Sequence, residues 1–134
     1  MLSAQEALIY TMVMMSASDR NMTDAELDTI GAIVKHLPVF ATFPADSLLE
    51  VAEACAAKIN APKGVDKVLD EVDRAVPERL RETAYALACE VVAADLAASP
   101  EELTMLQYFR RRFHIDRLTA AAIERGARAR HIPA

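Results

Sequence analysis

The architecture of this chain follows from two matching segments, Asp19-Arg-Asn-Met-Thr23-Asp-Ala-Glu26-Leu27 and Asp95-Leu-Ala-Ala-Ser99-Pro-Glu-Glu102-Leu103, which lie 76 positions apart. Asp, a hydroxyl residue, Glu and Leu fall at the same places in both segments. The agreement extends to flanking apolar residues, such as Met15 opposite Val91 and Ile30 opposite Leu106. This duplication predicts two copies of one helix–loop–helix unit, related by pseudo-two-fold symmetry, with an acidic corner in each half. We call residues 19–27 the first corner and residues 95–103 the second corner.

The composition predicts an all-α protein. Of the 134 residues, 53% are hydrophobic and 5% aromatic, none is tryptophan, and only 3 are glycine. Because tight sheet turns and phosphate-binding loops need glycine, its scarcity disfavours both, whereas alanine, leucine and methionine favour helices. A chain of this length is expected to form one domain, residues 1–134, folded as a compact bundle of about seven helices with the internal pseudo-two-fold repeat.

The period of the apolar residues and the positions of proline predict the individual helices. Pro38 ends the second helix, Pro77 fits the first position of the fifth, and Asp116 is suited to N-cap the seventh. Phe40 and Phe43 are expected to hold the connector 38–44 against the core. The predicted helices span residues 2–18, 23–37, 46–59, 65–75, 77–94, 100–113 and 117–130.

Nothing in the sequence indicates secretion or membrane insertion. The amino terminus lacks a basic segment followed by a cleavage site, and no apolar stretch approaches the roughly 20 residues that span a bilayer. Cys55 and Cys89 lie in apolar helical stretches without metal-ligand spacing, which favours buried, reduced thiols. The expected location is therefore the cytoplasm.

The charge of the chain is divided unevenly. The net charge is −5, yet residues 105–134 contain seven arginines against two acidic residues, which leaves −10 for residues 1–104. Opposite charges within a small domain usually pair with each other or lie on different faces. Nucleic-acid binding by the arginine-rich end is one interpretation. A solvated helix face neutralised by the acidic half is the favoured one, so no nucleic-acid partner is expected.

Helix capping explains most of each corner. Thr23-x-x-Glu26 and Ser99-x-x-Glu102 both have the form of a capping box, in which the hydroxyl accepts from the N–H three residues later and the Glu side chain reaches back. Acidic residues also suit the positive end of a helix. Capping gives no role to the aspartate that opens each segment, because that residue is expected near the C-terminal end of the preceding helix, where a negative charge is disfavoured.

Two explanations remain for Asp19 and Asp95. Either each side chain bonds to its local turn, or each faces the Glu across the connection, Glu26 or Glu102, and holds a cation with it. Hard cations such as calcium bind several carboxylate and carbonyl oxygens, and one Asp, one Glu, a hydroxyl and loop carbonyls supply a small set of this kind. The site would be stronger if the pseudo-symmetry brought all four carboxylates together.

The whole pattern resembles the tellurite resistance protein TerB family. An alanine-rich helix, Asp, a short loop, Ser/Thr-x-x-Glu and a Leu/Ile-rich helix occur twice, and the likeness covers essentially the whole chain. The resemblance implies an all-α fold of about seven helices with internal two-fold character, in a cytoplasmic bacterial protein linked to tellurite and other chemical stress. It also implies a divalent-metal site formed by acidic residues, which in this chain are Asp19, Glu26, Asp95 and Glu102.

This chain departs from the TerB pattern directly after each aspartate. TerB-like loops usually continue Asp-Gly, where glycine allows a left-handed turn, but Arg20 and Leu96 stand at those positions. Arg20 places a positive charge beside the proposed cation, and Leu96 indicates that the fifth helix continues past Asp95. Both changes weaken a metal site, the second corner more than the first.

No catalytic motif is present in the sequence. The histidines His36, His114 and His131 have no Cys or Ser partner at a recognisable spacing, and the chain contains no nucleophile elbow, Walker loop or HExxH. We therefore expect a helical binding or scaffolding module of a bacterial stress response rather than an enzyme. Its cofactor would be a divalent cation, calcium or similar, and its partners other proteins of that response. The alternative is a purely structural protein-interaction module whose acidic loops act only as helix caps.

Overall fold

The computed structural model of this protein describes residues 1–16, 22–94 and 98–134. Within those residues the backbone forms seven α-helices and three short 3-10 helices, and no strand. The predicted all-α fold of about seven helices is therefore confirmed. The α-helices are α1 Ala4–Ser16, α2 Asp24–His36, α3 Leu48–Asn60, α4 Gly64–Ala75, α5 Arg81–Ala94, α6 Pro100–Arg112 and α7 Arg117–Arg130.

Helix α1 lies at the centre of the molecule. Every residue from Ala7 to Ser16 is buried, and the helix packs against α3, α4 and α5. A helix that is apolar on all sides has no solvent face, so it is stable only when other helices surround it. Although α1 is strongly apolar, no helix within the described ranges is long and apolar enough to cross a membrane.

Helix α5 is the second central element. It packs against α1, α6 and α7, and it also contacts α2, while α6 contacts α1. The helices that precede the two corners therefore lie against each other, and each contacts the helix that follows the other corner. The internal symmetry itself stays a prediction. The buried residues of α5 are Ala84, Tyr85, Leu87, Ala88, Cys89, Val91 and Val92.

Two helices, α3 and α5, begin later than the sequence predicts because a 3-10 turn precedes each of them. Helix α5 starts at Arg81, because Pro77 precedes a 3-10 turn at Glu78–Leu80 in which the Leu80 N–H donates to the Pro77 carbonyl over 2.9 Å. A second 3-10 turn, Ala45–Ser47, precedes α3 in the same way. Such turns are common at helix ends, and the tighter winding satisfies N–H groups that a regular first turn leaves open.

The connector between α2 and α3 is fastened to the core, as predicted. Phe40 is 2% exposed, and its ring meets the Phe43 ring edge to face with the centroids 6.3 Å apart. The Gln5 side-chain amide donates to the Val39 carbonyl and to the Thr42 hydroxyl, each over 3.0 Å. These contacts hold the connector on the N-terminal end of α1.

The arginine-rich end is partly neutralised by the acidic half of the chain. Arg112 donates to Asp70 over 2.7 Å and to Asp73 over 3.2 Å, and Asp73 also accepts from Arg81 over 3.1 Å. Arg130 pairs with Glu90 on α5. These pairs join α4 to α6 and α5 to α7, which supports the interpretation of the arginines as a helix face balanced by the chain itself.

The two thiols are free and buried, as the sequence predicts. Cys55 lies on α3 and Cys89 on α5, and neither forms a disulfide. Exclusion of water disfavours the thiolate and raises the pKa of each thiol to about 12. Because only the thiolate is a good nucleophile, both cysteines are held in an inert form at neutral pH.

Candidate functional site

The structure describes two of the four predicted site residues. Glu26 lies in the first turn of α2 and Glu102 in the first turn of α6. Asp19 and Asp95, together with their neighbours Arg20 and Leu96, fall outside the described residues. The geometry of each corner is therefore built from its Ser/Thr and Glu, and the contribution of the aspartates stays a prediction.

The first corner contains the predicted capping box. Thr23 has extended backbone angles, φ −84° and ψ 164°, which aim its side chain at the open N–H groups of α2. The Thr23 Oγ1 accepts from the Glu26 N–H over 3.1 Å, and the Glu26 Oε1 accepts from the Thr23 N–H over 3.0 Å. The Thr23 hydroxyl also donates to the same Oε1 over 3.1 Å. Two hydrogen bonds thus fix the Glu26 carboxylate, and a third joins the Glu26 backbone N–H to Thr23.

The second corner repeats this geometry. Ser99 has φ −75° and ψ 159°, and its Oγ accepts from the Glu102 N–H over 3.1 Å. The Glu102 Oε1 accepts in return from the Ser99 N–H over 3.0 Å. Pro100 occupies the first helical position, where its missing N–H leaves no bond unmade. Both predicted capping boxes are confirmed.

The two glutamates differ in burial. Glu26 is half-buried, whereas Glu102 is 8% exposed and is the one acidic side chain buried within the described residues. A buried carboxylate needs hydrogen-bond donors to offset its loss of water, and the Ser99 N–H is one such donor. The sequence gives no sign of this difference, since the two boxes have the same pattern of residues.

The corners offer oxygen donors of the kind that a hard cation binds. A carboxylate has two oxygens with about four acceptor positions, and the hydrogen bonds of both glutamates described above use Oε1. Capping and cation binding are therefore compatible at the same side chain. Among the residues that the structure describes, no group of three or more Asp, Glu, His or Cys side chains lies close enough to hold a metal ion. A site at either corner would depend on Asp19 or Asp95.

A groove that begins beside the second corner is the feature that sequence analysis missed. It has a volume of about 730 Å³ and runs between α6 and α7 above α5. Its lining includes Leu103, Leu106, Ala122, Arg125 and Arg128. The signal that could have found it is Leu103, an apolar residue directly after Glu101 and Glu102 in the first turn of α6, but its significance depends on where α7 lies.

The comparisons with known proteins place the chain in a family. The family model described as tellurite resistance protein TerB matches residues 5–125. The matched region includes both corners and extends from α1 into α7. No curated protein and no solved structure matches the chain significantly.

Proposed function

This chain belongs to the tellurite resistance protein TerB family, and we propose that it acts as a helical binding and scaffolding module in the bacterial response to tellurite and other chemical stress. The observation that carries this proposal is the pair of matching corners, each with a carboxylate fixed at a helix start by its own capping box. On this proposal the protein holds partner proteins and does not catalyse a reaction. We place it in the cytoplasm, with other proteins of the stress response as its partners.

We further propose that the corners bind a divalent cation, calcium or similar. Glu26 and Glu102 are already fixed by capping bonds, so little side-chain entropy would be lost when they bind a cation. Asp19 and Asp95 would supply the second carboxylate of each corner. The first corner is the stronger candidate, because Glu26 is more accessible than the buried Glu102.

Substitution of Glu26 separates capping from cation binding. Glu26→Gln keeps the reach-back hydrogen bond, since Glu and Gln both complete a capping box, but it removes the negative charge. We expect millimolar calcium or manganese to raise the Tm of the parent protein. At ten times Kd the stabilisation is about 1.4 kcal/mol, or about 4–7 °C in Tm for a domain of this size. Glu26→Gln should leave the cation-free Tm nearly unchanged and abolish most of the rise.

Three further variants complete the experiment. Asp19→Asn should also abolish most of the rise, and Asp95→Asn should have a smaller effect. Asp24→Asn is the matched control, because Asp24 is an exposed acid of the same first helical turn and should leave most of the rise intact. If calcium, magnesium, manganese and zinc all leave the parent Tm unchanged, the cation proposal is wrong.

The alternative function has an observation of its own in support. Every described hydrogen bond of Glu26 and Glu102 serves the capping boxes, so both residues have a complete structural role without a cation. On this alternative the protein is an interaction module whose partners bind elsewhere. An unchanged Tm with every cation, combined with destabilisation when the caps are removed, would favour it.

A further inference from the structure

The groove between α6 and α7 has the form of an unfilled helix position. Both helices pack on α5, but they make little contact with each other. The space between them, about 730 Å³, has Cys89 and Val92 of α5 at its floor. Three parallel or crossing helices that leave such a gap expose a surface on which one more helix can rest.

The walls of the groove are largely apolar, and the α7 wall has small residues between its charged ones. Leu103 on α6 is 49% exposed, and Ile132 at the end of the groove is 68% exposed. The α7 wall presents Ala121 and Ala122. Alanines allow another helix backbone to approach closely, while exposed leucine and isoleucine side chains gain free energy when they are covered.

The lip of the groove is positively charged. Arg125 and Arg128 lie on α7, three residues apart and therefore on the same side of the helix. Neither forms an ion pair with another residue in the described part of the chain. Glu124 on the same helix is engaged, because its Oε2 accepts from the Tyr85 hydroxyl over 2.5 Å. On a chain with net charge −5 this lip is a local exception.

We propose that this groove binds an amphipathic, acidic helix of a partner protein. The apolar face of that helix would cover Leu103 and the alanine wall, and its Asp or Glu side chains would pair with Arg125 and Arg128. A helix in a groove is a common mode of peptide recognition, and complementary charge at the rim gives it orientation and specificity. The inference deepens the proposed scaffolding role by naming the partner class, and it requires no cation at the corners.

A synthetic peptide provides the direct test. The peptide would have about 14 residues, since α7 has 14 and a helix of that length extends about 21 Å. Leucines at positions i, i+3, i+4 and i+7 would form one face, with glutamates beside them. A second peptide would carry lysines in place of the glutamates. In fluorescence anisotropy we expect the acidic peptide to bind and the basic peptide to bind at least about tenfold more weakly, with added salt reducing the difference.

Charge reversal tests the lip. Arg125→Glu combined with Arg128→Glu should weaken binding of the acidic peptide and strengthen binding of the basic one. If that variant does not fold, as judged by circular dichroism, Arg125→Gln with Arg128→Gln should still remove the preference between the peptides. Arg117→Glu is the matched control, since Arg117 is exposed on the same helix and lies outside the groove. It should leave the preference unchanged.

A second matched pair tests the apolar wall. Leu103→Asp should reduce binding about tenfold or more, whereas Leu118→Asp should leave it unchanged. Both leucines are exposed residues in the first turns of their helices, but Leu118, 82% exposed, does not line the groove. Unchanged binding by Leu103→Asp, whatever the effect of Leu118→Asp, would place the binding site elsewhere and overturn the proposal.

Other occupants would give different results, each of which overturns the proposal. Equal binding of both peptides, or binding of neither, would exclude an acidic helix as the occupant of the groove. Self-association in sedimentation that Leu103→Asp abolishes would identify a second copy of this chain as the occupant. Binding of a long-chain fatty acid without binding of the peptide would identify a small amphipathic ligand. Glu26→Gln should retain peptide binding, so failure of the cation proposal and failure of this one are distinguishable.

Discussion

Thr23 and Ser99 show what a single hydroxyl contributes at a helix start. The first turn of an α-helix leaves N–H groups without an internal partner, and each hydroxyl satisfies the one at the third helical position over 3.1 Å. The Glu at that position bonds back to the N–H of the cap itself. These four residues therefore fix the starts of α2 and α6, both of which pack on the core.

Removal of these hydroxyls should destabilise the protein. We expect Thr23→Ala and Ser99→Ala each to lower the free energy of unfolding by about 0.5–2 kcal/mol, because an orphan N–H loses its acceptor. The loss should be larger for Ser99→Ala, since the loosened Glu102 is buried. Urea denaturation followed by circular dichroism measures both. Thr104→Ala is the control. The Thr104 hydroxyl donates to the Pro100 carbonyl, and because the helix does not depend on this bond, the free energy of unfolding should change little.

The capping residues could be predicted from the sequence because their geometry is local. Hydroxyl and Glu stand three residues apart, and the bonds that join them lie within one turn of helix. The burial of Glu102 could not be predicted, because burial depends on tertiary packing, which a local pattern of residues does not describe. The same distinction separates the confirmed caps from the proposed cation site, whose Asp19 and Asp95 lie outside the described residues.

The turn between α3 and α4 shows how one element constrains the next. Lys63 has the left-handed angles φ 56° and ψ 26°, and Gly64, which begins α4, donates its N–H to the Ala61 carbonyl over 2.8 Å. Gly64 itself does not have a positive φ. Its requirement is space, because a Cβ at this position would overlap the backbone carbonyl oxygens of Lys58 and Ile59.

Alanine substitution should therefore have opposite effects at two glycines. We expect Gly64→Ala to destabilise the protein by about 1–3 kcal/mol, since backbone oxygens cannot move aside as a side chain can. Gly31→Ala, in the middle of α2, should stabilise it by up to about 1 kcal/mol, because alanine favours the helix and the nearest atom to its Cβ would lie at an ordinary 3.6 Å. Thermal unfolding of both variants measures the difference. A Gly64→Ala variant as stable as Gly31→Ala would show that the turn can open.

Element boundaries were the less predictable part of the helices. The sequence places the turn 60–64 correctly, since Pro and Gly mark it. It places the start of the fifth helix too early, because Pro77 is compatible with a regular helix start and with the 3-10 turn that the structure contains. The choice between them depends on packing of the following helix and not on Pro77 itself.

At the scale of the whole molecule, the core is arranged around two apolar helices whose neighbours the sequence does not identify. The periodicity of α1 and α5 predicts helices with wide apolar surfaces, but not that they lie against each other. The groove between α6 and α7 follows from that arrangement and not from any motif. Helix content could therefore be predicted from local patterns, whereas the surface on which the further proposal rests required the positions of three helices.

The same core contains four titratable groups in their neutral form. Burial raises the pKa of Cys55 and Cys89 to about 12 and also raises the pKa of Tyr10 and Tyr85, the latter with the nearby Glu124 adding to the effect. Each group has a folded pKa above its unfolded value, so the folded state retains a proton that the unfolded state loses. The contribution to stability is complete below the unfolded pKa and declines as the pH rises above it.

The stability of the protein should therefore decline in alkali in two phases. We expect the free energy of unfolding to be level from pH 7 to about 8.5 and to fall from pH 9, where thiols of the unfolded chain ionise, and more steeply from pH 10, where its tyrosines follow. Urea denaturation at intervals of half a pH unit measures the slope of the free energy of unfolding against pH. That slope gives the difference in the number of protons bound by the unfolded and the folded states. In a variant with Cys55→Ala and Cys89→Ala the decline should begin about one pH unit later, because the groups with a raised pKa that remain, Tyr10, Tyr85 and Lys58, ionise in the unfolded chain only near pH 10. A free energy of unfolding that stays level to pH 10.5 in the parent would contradict the burial of these groups, since ionisation would then proceed equally in the folded and unfolded states.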